Sequence, residues 1–94
     1  MIAEFDPDKD AGNRAKHGVS LLFGVQVFAD EEHVILPSFR PVDGEDRYMA
    51  VGLVDGRFWT AIYVQRGNAV RLISVRRSND GEQGHYNRHS GGSR

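Results

Sequence analysis

Phe5-Asp6-Pro7-Asp8-Lys9-Asp10-Ala11-Gly12-Asn13-Arg14-Ala15-Lys16-His17-Gly18-Val19-Ser20 reads as the end of a strand, a capped helix and a turn into a second helix. Asp6 is a good N-cap, and Pro7 then occupies the first helical position, where its missing N–H costs nothing. The helix is expected to run to about His17 and to stop at Gly18, a residue suited to the left-handed position after a helix. Before it, Ile2 to Phe5 can form only a short edge strand. After it, Ser20 is expected to cap a second helix reaching about Phe28, with Leu22, Val25 and Phe28 turned inward. Gly24 within that helix should weaken it by up to ~1 kcal/mol relative to alanine.

From residue 31 the pattern changes period. Glu32 to Leu36 reads as a strand and Pro37 to Asp43 as a loop. Asp46 to Val54, Arg57 to Gln65 and Ala69 to Arg76 read as three further strands. Asp55-Gly56 supplies a two-residue hairpin turn that needs positive φ at both positions, and Gly67-Asn68 closes the next hairpin with similar chemistry. Phe58, Thr60, Ile62 and Val64 share one face of their strand and Trp59, Ala61 and Tyr63 the other, so this strand should be central and covered on both sides. A last helix begins near Ser78 or Asn79 and frays before Ser90. The expected fold is α+β: a short N-terminal strand and two helices, an antiparallel β-meander and a C-terminal helix. Residues 1–89 form one domain on this reading, and 90–94 a flexible tail.

The 94 residues leave no room for a second core and bury only somewhat over ~60% of what the unfolded chain exposes. The absence of cysteine removes disulfides, thiolate nucleophiles and zinc–sulfur sites together. Acidic residues begin at Glu4, where a signal peptide needs a basic flank, and the apolar run from Leu21 to Ala29 is too short to span a bilayer. A cytoplasmic location without membrane contact is therefore expected. The formal net charge of −1 hides an asymmetry: residues 1–46 carry ten Asp/Glu against four Lys/Arg, and residues 47–94 three against eight. Ten of the twelve basic residues are arginine, whose planar fork matches phosphate. Such a dipolar molecule can present a basic face to nucleic acid, unless the charges merely solvate the surface.

The opening stretch resembles the start of the BrnT family, bacterial type II toxins of RelE-like ribonuclease fold. Its aromatic–Asp–Pro step, the helix carrying Asn13 and Lys16-His17-Gly18-Val19, and the Ser20 cap all match. Leu72-Ile73-Ser74-Val75-Arg76-Arg77-Ser78, followed by Glu82 and Tyr86, is similar to the family's last strand and closing helix. Val27-Phe28-Ala29-Asp30, Gly44-Glu45-Asp46-Arg47-Tyr48 and Val51-Gly52 fall between them in order, so the resemblance covers residues 5 to 86. It implies an endoribonuclease without cofactor or metal, which cleaves RNA through its own 2′-hydroxyl, halts translation and is silenced by a BrnA-like antitoxin. That partner has a ribbon-helix-helix part, and operator DNA is met only through it.

The implied reaction needs a base for the 2′-hydroxyl, a cation for the phosphorane and an acid for the departing 5′-oxygen. Arg76 and Arg47 match family arginines and are the first and second candidates for the cation. On strict alternation Arg71 and Arg77 share a face, with Arg76 opposite beside Ser74, unless a bulge intervenes. Arg71, Arg77 and Lys16 are candidate phosphate ligands. His17 and His85 are candidates for proton transfer, since an ordinary histidine titrates near neutral pH. Lys16 and His17 also sit where a helix C-terminus favours positive charge for purely structural reasons. Glu82, His85 and His89 share one helical stripe that could hold a metal, but the better reading has Tyr86 and Glu82 at family positions. Relatives carry Lys or Arg where this chain has Asp80, Gly81, Gln83 and Gly84. That departure keeps a second reading open: a weak or inactive member acting as an interaction module for an antitoxin-like protein. Leu21-Leu22-Phe23 stands where relatives place charge. Leu21 and Phe23 cannot both share the side of Leu22, so an exposed contact surface for the antitoxin, or for a homodimer, is expected there.

Overall fold

The computed structural model describes residues 1–42 and 45–89, the side chains of 39–42 excepted. The chain runs through strand β1 (Ile2–Glu4), helix α1 (Pro7–His17), a 3₁₀ turn (Leu21–Phe23) and helix α2 (Gly24–Ala29). Strands β2 (Val34–Val42), β3 (Glu45–Val54), β4 (Arg57–Arg66) and β5 (Ala69–Arg77) follow, then helix α3 (Asp80–His89). They form one sheet in the order β1-β5-β4-β3-β2, antiparallel except for β1, which lies parallel to β5. The fold is α+β and compatible with the RelE-like arrangement that the resemblance implies.

The local signals act as expected in α1. The Asp6 side chain accepts from the Asp8 N–H at 2.9 Å, Pro7 opens the helix, and Gly18 ends it at φ 80°. Asp55 (φ 51°) and Gly56 (φ 78°) make the tight hairpin between β3 and β4. One face of the sheet carries the main core, in which Leu21, Val27, Ala50, Ala61, Leu72 and Val75 are almost fully buried beneath α1, the 3₁₀ turn and α2. On the other face Tyr86 of α3 packs on Val34 and Val51, with Leu36, Leu53 and Phe58 around them. β4 is thus covered on both sides near Phe58 and left open on the α3 face further along.

Three expectations change. The helix expected from Ser20 to Phe28 is a 3₁₀ turn followed by six helical residues. The Asp10 carboxylate takes the Leu21 N–H at 2.7 Å and fixes where that turn begins. As a result Leu21 is core at 0% exposure, Leu22 is the exposed member at 52%, and Phe23 is half-buried with its ring 4.8 Å from that of Trp59. Leu21 therefore cannot supply partner-binding surface. Second, most of the expected loop from Pro37 to Asp43 is strand. Pro37 pairs with Tyr48 on the sheet edge, where a missing N–H breaks no ladder. Third, the register of β5 on β4 slips between Ile62 and Tyr63, so that Ile73 is the extra residue. This bulge turns Arg71 to the face of Ser74 and Arg76 and leaves Arg77 on the opposite one. Gly44, Asp43 and the tail 90–94 lie outside the described residues.

Candidate functional site

On the α3 face the strands are left uncovered toward one end, and a cleft of about 1040 Å³ opens there. β2 and β3 supply Ser38, Arg47 and Met49 to it, and β4 and β5 supply Ile62, Ser74 and Arg76. The last turn of α1 brings Lys16 and His17 to it, and the first turns of α3 bring Glu82 and His85. Five residues singled out from the sequence thus meet in one place: Arg76, Arg47, His17, His85 and Lys16. The other two arginines do not line it. Arg71 lies 3.7 Å from Glu4 at the far end of β5. Arg77 sits over the Trp59 ring, 5.6 Å from its centroid, and donates to the Phe58 carbonyl.

Arg76 is not a free cation. Its two Nη atoms each donate to one oxygen of Glu82, both at 2.8 Å, and Nη1 also donates to the Arg77 carbonyl. Glu82 is only 5% exposed and accepts further bonds from the Thr60 hydroxyl at 2.8 Å and the Asn79 N–H at 3.0 Å. Burial alone would raise the pKa of its carboxyl, but these bonds, that of Arg76 foremost, bring it below the ordinary value. The hydrogen bonds to Glu82, with its charge, hold the Arg76 pKa above its ordinary value against burial. Asn79 in turn accepts the Glu82 N–H at 2.9 Å, closing a reciprocal capping box at the start of α3. The Glu82 carboxylate is spent on these partners, which removes it from the stripe with His85 and His89.

Arg47 is in the opposite state. Its Nε is buried and has no hydrogen-bond partner among the described residues. An unsatisfied buried donor on a charged group typically costs upwards of ~1–3 kcal/mol. Glu45, two residues before it in β3, pairs with Arg66 at 2.9 Å. Lys16 is exposed, and His17 and His85 are half-buried. Among the described residues the cleft therefore has two cations outside any ion pair, Lys16 and Arg47, beside an arginine already neutralised, with two imidazoles nearby.

Two residues of the matching stretches, Asn13 and Asp30, frame the site through contacts that their motifs do not reveal. Asn13 does not line the cleft. Its amide donates to the carbonyls of Val19 and Val75 and accepts from the Val75 N–H, pinning α1 to β5. Asp30 holds the Leu53 N–H and the Tyr86 hydroxyl, both at 2.8 Å, and so anchors α3 at the other end of the sheet. Burial would raise the Asp30 pKa, but backbone bonds from Leu53 and Glu32, with the Tyr86 hydroxyl, lower it.

A family model described as the ribonuclease toxin, BrnT, of a type II toxin–antitoxin system matches residues 5–82. No curated protein matches the chain. The match covers β2 to β5 and the α1 contribution to the cleft, and it ends at Glu82, the residue that engages Arg76. Type II systems pair the toxin with a protein antitoxin. This chain belongs to the BrnT family of type II ribonuclease toxins.

Proposed function

We propose that this protein is a metal-independent endoribonuclease that cuts RNA in the cleft between α1 and α3. The observation that carries this reading is the convergence of His17, His85, Lys16, Arg47 and Arg76 from separate elements. One imidazole removes the proton of a 2′-hydroxyl, whose oxygen attacks phosphorus and forms the new P–O bond. The P–O5′ bond breaks, the other imidazole protonates the leaving oxygen, and a 2′,3′-cyclic phosphate and a 5′-hydroxyl result. Lys16 and Arg47 hold the phosphate and the charge that builds on it, beside the Arg76–Glu82 pair. Cleavage of cellular RNA halts translation, and a BrnA-like antitoxin with a ribbon-helix-helix part neutralises the toxin and carries the complex to operator DNA. Leu22 and Phe23 are candidates for that contact.

A second reading, an inactive interaction module, is favoured by the Glu82 grip on Arg76 and by the lack of basic residues at 80–84. One assay separates the two. Purified protein with EDTA should shorten RNA and leave cyclic phosphate ends, and His17→Ala and His85→Ala should each lose on the order of 10²–10⁴ in rate. Expression alone should slow growth, and co-expression with a neighbouring ribbon-helix-helix protein should restore it. Intact RNA and normal growth with folded protein would favour the module.

A further inference from the structure

The two cleft arginines differ in what their donors already hold, and this difference ranks them. We infer that the anion-binding position of the cleft is Arg47, with Ser38 beside it, and that Arg76 is a positioning residue held away from the anion by Glu82. Arg47 and Ser38 face each other as a register pair on β3 and β2, and both line the cleft. A guanidinium can grip two phosphate oxygens side-on through Nε and one Nη, or end-on through both Nη atoms. The Arg47 Nε is buried without a partner among the described residues, so its side-on fork is uncommitted and meets an anion once the side chain turns toward the cleft. Arg76 spends its end-on fork on Glu82, with both bonds at 2.8 Å.

A phosphate at Arg47 satisfies a donor that the protein leaves unsatisfied. A phosphate at Arg76 must displace or share a carboxylate that is itself bonded to Thr60 and to the start of α3. The ligand class is a phosphate monoester or diester. Its identity as an RNA backbone rests on the ribonuclease reading, whereas the anion position does not. The role of Arg76 is to fix Glu82, and through it the α3 turn that carries His85 to the cleft.

The test uses the full chain and two probes, inorganic phosphate and a short DNA oligonucleotide, which has no 2′-hydroxyl to react. Phosphate should raise the melting temperature of the parent protein and of Arg76→Lys, which keeps a cation against Glu82. It should leave that of Arg47→Met unmoved. Affinity for the oligonucleotide should fall on the order of tenfold in Arg47→Met, the scale of one lost charged hydrogen bond. Without ligand, Arg47→Met should melt at the parent temperature or above, since the change removes an unpaired buried donor. On RNA, Arg76→Lys should lose kcat with KM little changed, and Arg47→Met should also raise KM. The inference is overturned if phosphate shifts Arg47→Met as much as the parent, if it shifts neither, or if only Arg76→Lys loses binding. Parent protein that binds phosphate through Arg47 yet leaves RNA intact would keep the anion position and reject the ribonuclease reading. RNA cut equally well by Arg47→Met would do the reverse.

Discussion

Asn13 is the side chain on which the junction of α1 with the sheet depends most. β1 pairs with β5 only at residues 69 to 71, so the backbone of Val75 has no strand neighbour on that side. The Asn13 amide takes the place of one, accepting the Val75 N–H at 3.0 Å and donating to its carbonyl at 3.0 Å. Asn13→Ala would strand both groups in a buried setting and should cost at least ~2 kcal/mol. Asn13→Asp should cost more, because a carboxylate would face the Val75 and Val19 carbonyls where an NH₂ now donates. Urea unfolding of the two variants checks the order. Asn13 was visible in the sequence as part of an identifying motif, with no sign of its bond to residue 75. Contacts spanning 62 residues leave no periodic trace. The Glu82 contact was more legible: Asn79 and Glu82 have capping-box spacing, which marks both the start of α3 and a carboxylate turned back on the chain.

At the scale of elements, glycines show where local propensity and packing disagree. Gly12 lies within α1, and an added Cβ there would meet nothing within 4 Å. Gly12→Ala should therefore stabilise by about 0.5–1 kcal/mol through helix propensity. Gly24 looked from the sequence like a similar weakness. In the structure its missing Cβ lets the start of α2 lie directly on the sheet, with Leu72, Val75 and Ala61 carbons 3.0, 3.1 and 3.3 Å from where a Cβ would stand. The ~1 kcal/mol of helix propensity gained by Gly24→Ala should be outweighed by an overpacking cost of ~1–3 kcal/mol. Opposite signs in thermal melts of the two variants would establish this. The same conflict explains the errors of the sequence reading. The turn residues and the meander were legible because they rest on local φ preferences and period-2 alternation. The bulge at Ile73 and the 3₁₀ turn at Leu21 are set by partners, Tyr63 across the sheet and Asp10 eleven residues back. The candidate site was legible as a set of residue types, and five of its seven proposed chemical residues do meet. Which face Arg71 and Arg77 took depended on that bulge.

For the molecule as a whole, two carboxylates tie α3 to the rest, one at each end. Glu82 binds Arg76, Thr60 and the first turn of α3, and Asp30 binds the Tyr86 hydroxyl further along it. Both have folded-state pKa values below their ordinary ones, the hydrogen bonds outweighing burial. The unfolded chain therefore binds protons at a higher pH than the folded one does. Stability from these groups is fully present above the ordinary carboxylate range of roughly 4 to 4.5, and it declines as pH falls through that range toward the lowered folded values. The main core under α1 and α2 is an apolar cluster, with the buried Asp10 carboxylate at its edge on the Leu21 N–H. Acid should consequently loosen α3 before the sheet, and with α3 goes the wall of the cleft that carries His85. Hydrogen exchange at pH 6 and pH 4 tests this: α3 amides should lose protection at the lower pH while those of β4 and β5 keep it. Glu82→Gln should remove part of the pH dependence, because its amide cannot titrate, and should leave α3 already loosened at pH 6. Equal loss of protection in α3 and β4 would mean that the helix and the sheet unfold as one unit, and the two carboxylates would then support the global fold rather than the cleft wall.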